Sequence, residues 1–284
     1  MNRTISRIER PVSEPGFLGE GHTAVPVIRP EQFERNDPFI LLMDDRVHLS
    51  GDRPAGGPHP HAGFETVTLV LEGKLRYHGR DGEGFLEAGD VQWMTAGRGV
   101  IHSETMDRAV DLRILQLWLT LPKKDRWMCP ASQDIRGTSV PIRREPGAEL
   151  KLYSGSSGGL KSSTRNHVPV TLADIRLEPN ASMEQDMDHA DNGMLYGLEG
   201  SYRIEDQVLR SGEVGWLDRP EGKGTGTVRI SAGEKGARLV LYAGRMQHEP
   251  IVHYGPFVGD TNEDIVRAYQ NYRAGHMGHI NALR

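Results

Sequence analysis

The sequence predicts an all-β protein built from two related barrel domains, with one helix near its C-terminal end. Three observations carry that expectation. Glycine (34) and proline (17) are frequent among the 284 residues and cut the chain into short apolar runs, the pattern of many strands and turns. Two blocks recur: Leu71-Glu72-Gly73 with Leu86 to Trp93 reappears as Leu198-Glu199-Gly200 with Leu209 to Trp216, which points to an internal duplication. Only residues 261–275 carry a helical period.

The elements follow in order. Residues 1–50 read as extended segments punctuated by Pro11, Pro15, Gly19, Gly21, Pro26 and Pro30, with a buried apolar strand over 38–43 that Asp44-Asp45-Arg46 ends. Residues 51–121 hold the clearest β pattern. A β-branched strand spans 66–71, Glu72-Gly73 turns the chain, and 74–77 alternates as a half-buried strand. Asp81-Gly82 and Glu83-Gly84 are hairpin signals. Strands follow at 91–95, at His102 to Met106 and at 112–120, where Pro122 stops the last. The second half returns to β pattern at 168–177, 194–196, 200–204 and 238–242. In the final element Thr261 is placed to cap a helix, with Asp264 three residues on. Ile265, Val266, Ala268, Tyr269 and Tyr272 recur at helical spacing, and Gly275 ends it.

A chain of this length accommodates two domains. The run Ser154-Gly155-Ser156-Ser157-Gly158-Gly159 near its middle has the composition of a linker, so the expected domains are 1–150 and 151–284. Net charge is −5, which offers no bulk attraction to nucleic acid or to an anionic membrane. No apolar run approaches the roughly 20 residues that span a bilayer, and the first residues lack the apolar core of a secretory signal. The single cysteine, Cys129, excludes an internal disulfide framework and a cysteine-rich zinc site. Between Met128 and Pro130 it reads as a buried or inert thiol. The expected compartment is the cytoplasm.

The chemistry concentrates in His59-Pro60-His61-Ala62-Gly63-Phe64-Glu65 and Gly97-Arg98-Gly99-Val100-Ile101-His102-Ser103-Glu104. Residues two apart on a strand face the same side, so His59 with His61, and His102 with Glu104, form two pairs that can converge on one ion. Imidazole and carboxylate donors suit Fe(II), Mn, Co, Ni, Cu or Zn, and without thiolate a closed structural zinc site is disfavoured. Four protein donors on an octahedral ion leave two positions open. Glu65 competes with Glu104 for the carboxylate position, because it shares the parity of His61 unless Gly63 marks a bulge. Trp93 and Met94 are candidate pocket walls. His22, His48, His78, His167, His248 and His253 lack paired partners and read as ordinary positions, and His276 and His279 as a tail.

The second copy lacks the imidazoles. Counting from Leu198 and Gly212 places Asp186 and Asp188, then Thr225 and Thr227, where the first copy has its histidines and glutamate, with His189 nearby but alone. One metal site, in the first domain, is therefore expected.

Three stretches together resemble the pirin family of the cupin superfamily: the two motifs above, Gly89 to Thr95 between them, and Tyr254-Gly255-Pro256-Phe257-Val258 ahead of the helix. The likeness runs from about residue 17 to residue 278. It implies a bicupin: two antiparallel, jelly-roll-like β-barrels with the C-terminal helix packed back on them. It also implies one divalent metal ion, Fe(II) in pirins, held by the residues matching His59, His61, His102 and Glu104. Glu104 thereby takes precedence over Glu65. Some pirins resemble quercetin 2,3-dioxygenases, which implies a flavonol or other small aromatic substrate, dioxygen as co-substrate, and Glu104 as catalytic proton acceptor. Others act as metal- or redox-dependent partners of transcriptional or metabolic proteins, which implies a protein partner instead.

Overall fold

The computed structural model describes residues 2–49, 56–80, 82–105 and 110–280. Asp81 of the expected hairpin and Met106 of the expected strand lie outside them. Strands dominate throughout. Besides a single turn at Phe33–Asn36, the one α-helix among the described residues is Asn262–Arg273.

The chain forms two compact units, each assembled from two separate stretches. Met1–Pro11 joins Ser139–Gln247, and Val12–Thr138 joins His248–Arg284. The expected division at residue 150 falls inside the strand Ala148–Ser154, and the expected linker instead supplies the small hairpin Ser156–Ser157 with Leu160–Lys161. Strand pairing explains the exchange of termini. Ile5–Glu9 is hydrogen-bonded antiparallel to Val214–Leu217, and Phe257 bridges to Ala62, where the Val258 N–H donates to the Ala62 carbonyl at 2.9 Å. The first is a main-chain ladder and the second an isolated bridge, and both satisfy backbone groups across the chain.

In the unit of Val12–Thr138 and His248–Arg284, two antiparallel sheets face a common interior. One runs in the order Ala131–Ile135, Val91–Thr95, Phe64–Glu72, Val110–Thr120, Phe39–Leu49, His22–Ile28, Glu14–Pro15; the other runs Pro58–His61, Val100–Thr105, Lys74–Gly79, Gly82–Glu87. The strand expected to stop at Asp44 continues to Leu49. The charges that seemed to end it are satisfied within the ladder: Asp44 accepts two hydrogen bonds from Arg113, at 2.9 and 2.8 Å, on one face, and Asp45 bonds His22 at 2.8 Å on the other.

Besides that small hairpin, the other unit holds one nine-stranded antiparallel sheet among the described residues, organised on the long strand Thr225–Arg245. The first half of that strand pairs with Ser182–Asp188 and the second with Val170–Leu177 and Asp191–Ile204. Leu150, Ile175, Leu195, Ile204, Val228 and Leu239 fill its core. Asp186 and Asp188 are exposed. The Thr227 hydroxyl donates to Asp186 at 2.9 Å, and Arg245 takes Asp188. Asp186 pairs in register with Thr227 and Asp188 with Thr225, a slip of two residues from the counted correspondence that leaves the side-chain faces unchanged.

The helix forms as its sequence demands. Thr261 and Asp264 make a reciprocal capping box, worth about 1 kcal/mol. Ile265 and Ala268 pack with Phe257, Ala62 and Met277, whereas Val266, one step round the helix, is 56% exposed.

Candidate metal centre

The strand Pro58–His61 pairs antiparallel with Val100–Thr105, placing His59 directly opposite His102 and His61 opposite Val100. Period two along each strand then turns all three imidazoles to one side. Their ring centroids lie 4.3 Å (His59–His102), 4.9 Å (His59–His61) and 5.0 Å (His61–His102) apart. One ring nitrogen from each lies within 4.8 Å of the others, a spacing that can hold a metal ion.

Electrostatics keep the rings in the form that ligates. Burial, then the charge of His59, pushes His61 down to about 3, against the opposing Pro256 carbonyl. Burial likewise holds His102 well below the usual histidine range, with His61 and His59 adding to the effect. Neutral imidazole is the metal-binding species. Both ring nitrogens of His102 are buried without a hydrogen-bond partner, an arrangement that costs roughly 1–3 kcal/mol per group unless a ligand satisfies it. His59 is oriented differently: its Nδ1–H donates to the Gly57 carbonyl at 2.8 Å, which leaves Nε2 with a lone pair for an ion. The donor set therefore fits a metal ion.

The two glutamates part company at Gly63. Its φ of +89° ends one strand, and the next, Phe64–Glu72, lies in the other sheet. A Cβ there would lie 1.9 Å from the Val258 carbonyl oxygen, so only glycine makes this corner. Glu65 is thereby carried into the core, fully buried, with one oxygen accepting from the Thr95 hydroxyl at 2.7 Å and the Trp93 indole close enough to act on the carboxyl. Burial pushes the Glu65 carboxyl up to about 7, opposed by Thr95 and Trp93. Glu104 instead lines the same cavity as His59 and His61. Its carboxylate accepts from the Thr68 hydroxyl at 2.9 Å and the Gln116 amide at 3.2 Å. Burial raises its pKa, the charge of His59 opposing and that of Asp45 adding.

That cavity measures about 780 Å³. Alternation along two strands builds its wall: Leu112, Ile114, Gln116 and Trp118 from one, Leu41, Met43, Asp45 and Val47 from the other. Trp118 lies edge-on to His61 at 5.3 Å and against Phe64 at 4.3 Å. A smaller cavity of about 300 Å³ adjoins His102, lined by Tyr77, His78, Gln92, Met94 and Asp134 among others. Met94 thus borders the lesser space, and Trp93 belongs to the core. Trp118, Gln116 and Asp45 were not singled out in sequence. The i, i+2 series through Trp118 was the available signal.

Arg126, the last residue of the charged run Lys123-Lys124-Asp125-Arg126, is fully buried. It donates to Asp260 at 2.9 Å and to the Gly63 carbonyl at 3.1 Å. Cys129, expected to be buried or inert, is exposed.

Comparison with known proteins now bears on this geometry. Residues 23–119 match Pirin, and residues 172–278 match the Pirin C-terminal cupin domain. The chain belongs to the pirin family. Its fold is accordingly a bicupin. A pirin-like protein of Solanum lycopersicum is 35% identical over 254 residues, 88% of this chain and 84% of that protein. A crystal structure from Geobacillus kaustophilus is 35% identical with a TM-score of 0.82, covering 88% of this chain and 99% of its own. A quercetin 2,3-dioxygenase from Acinetobacter baumannii is 26% identical with a TM-score of 0.89, covering 99% and 100% respectively. No described helix of this pirin is long and apolar enough to cross a membrane.

Proposed function

We propose that this pirin is a metal-dependent dioxygenase that opens the heterocycle of quercetin or a related flavonol with dioxygen. The observation that carries the reading is the largely apolar cavity of about 780 Å³ ending on His59, His61 and Glu104, beside a triad of histidines spaced to hold an ion. The likeness to a quercetin 2,3-dioxygenase supports it. His59, His61, His102 and Glu104 are the proposed ligands. Fe(II) is the proposed ion, and Mn, Co, Ni, Cu and Zn suit the same donors. A bound ion of this class acidifies a coordinated hydroxyl and relays electrons between organic substrate and dioxygen.

The protein's own groups do the rest. Glu104 accepts the proton of the reacting hydroxyl, and its raised pKa suits it to hold that proton. Thr68 and Gln116 fix its carboxylate. Leu112, Ile114, Leu41 and Met43 exclude water, and Trp118 offers a flat ring to an aromatic substrate. Overall the heterocycle takes up dioxygen and loses one carbon as carbon monoxide.

The test is metal analysis of purified protein combined with oxygen uptake across a series of flavonols. Uptake matched by carbon monoxide release, lost in His61→Ala, is the expected result. Metal-loaded protein that consumes no oxygen with any flavonol removes the reading.

A further inference from the structure

We infer that Asp45, oriented by His22, is a specificity residue: the acceptor for a substrate hydroxyl remote from the reacting one. The inference rests on the cavity being the substrate site, as proposed above.

The argument begins with a charge in an apolar wall. Asp45 sits on the cavity face of its strand between Met43 and Val47, where packing alone calls for another aliphatic side chain. Its neighbour Asp44 faces the other way and is engaged bidentately by Arg113. Asp45 has one hydrogen-bond partner among the described residues, Nε2 of His22 at 2.8 Å.

His22 is itself fully committed. The Leu18 N–H donates to its Nδ1 at 3.2 Å, so the ring proton resides on Nε2 and points at Asp45. The ring is nested against the backbone of Gly16, where a Cβ would come within 2.3 Å of it, and Phe17 lies edge-on at 5.1 Å. Neither ring nitrogen remains for a ligand. The dyad's uncommitted group is the second oxygen of Asp45. That oxygen belongs to a residue lining the cavity and is an acceptor with no protein donor among the described residues, and a phenolic hydroxyl on a flat ligand is the donor this cavity fits. Glu104 lines the same cavity, so one carboxylate serves the reacting hydroxyl and the other a second one.

The experiment is anaerobic equilibrium binding to the metal-loaded protein, followed by tryptophan quenching, with two ligands. Quercetin carries additional hydroxyls; the parent flavonol carries only the reacting one. In Asp45→Asn the ratio of the two Kd values shifts by about tenfold, through weakened quercetin binding alone, as expected for loss of a hydrogen bond to a charged group. His22→Phe, which keeps the carboxylate but frees it to rotate, shifts the ratio in the same direction by a smaller factor. This second variant decides the matter should Asp45→Asn fail to fold. An unchanged ratio, equal weakening of both ligands, or no binding of either by the wild type overturns the inference. Turnover is a separate readout: absence of oxygen uptake defeats the dioxygenase reading, while the anaerobic ratio still decides the role of Asp45.

Discussion

Arg126 and Asp260 stand 134 residues apart in sequence and meet at 2.9 Å, with the same guanidinium donating to the Gly63 carbonyl at the corner between His61 and Glu65. The pair ties the C-terminal segment to the turn that aims the imidazoles. Replacing Arg126 with Met leaves the largely buried Asp260 carboxylate without its cation, which costs roughly 3–5 kcal/mol. Chemical denaturation should register that loss, and a chelator should strip metal faster from the variant. Unaltered stability would mean the pair is not holding the corner.

His102 carries a stability cost that a bound metal would offset. Both its ring nitrogens are buried and unpartnered, so His102→Leu removes an unsatisfied polar group. Metal-free His102→Leu should unfold at a higher temperature than metal-free wild type, by about 1–3 kcal/mol, while retaining almost no metal by elemental analysis. A variant that is both less stable and metal-competent contradicts the assignment.

Thr68 anchors Glu104. Thr68→Val keeps the volume and removes the hydroxyl. Orientation of a ligand by a neighbour of this kind is worth about 10- to 100-fold in affinity. Competition with a fluorescent chelator should show that drop with no change in the circular dichroism spectrum.

Glu65 makes stability depend on pH. Its pKa rises from 4.5 to about 7 on folding, so between these values the folded chain binds more protons than the unfolded chain. Stability from this group is therefore complete below about pH 4.5 and is lost as pH rises through about 7. Glu65→Gln abolishes the loss. At pH 8 the variant should be more stable than wild type by on the order of 3 kcal/mol, and near pH 4 the two should coincide. Parallel pH profiles would show that Glu65 does not titrate as its burial demands.

Much of this was legible in sequence, for identifiable reasons. The histidine pairs are local, and strand alternation fixes their common face once each strand is known. The duplication, the helix and its capping box are equally local. Illegible features depend on long-range register. Asp44-Asp45 read as the end of a strand, because Arg113 and His22, which hydrogen-bond them, lie 69 and 23 residues away. Arg126, in a run of charged residues, gives no local sign of its burial for the same reason, since Asp260 lies 134 residues away. Parity also misleads at Gly63, where the chain changes sheet and carries Glu65 away from the imidazoles.

The exchange of termini between the two units has a consequence for biosynthesis. As the chain leaves the ribosome, the strand Ile5–Glu9 must wait for Val214–Leu217 before it can dock. The histidine-bearing stretch waits still longer, since Phe257, which bridges to Ala62, and Asp260 follow that strand in the chain. An ion held by the three histidines would thus be captured only after Phe257 and Asp260 have been made, and a nascent fragment that ends before them would be a poor competitor for metal.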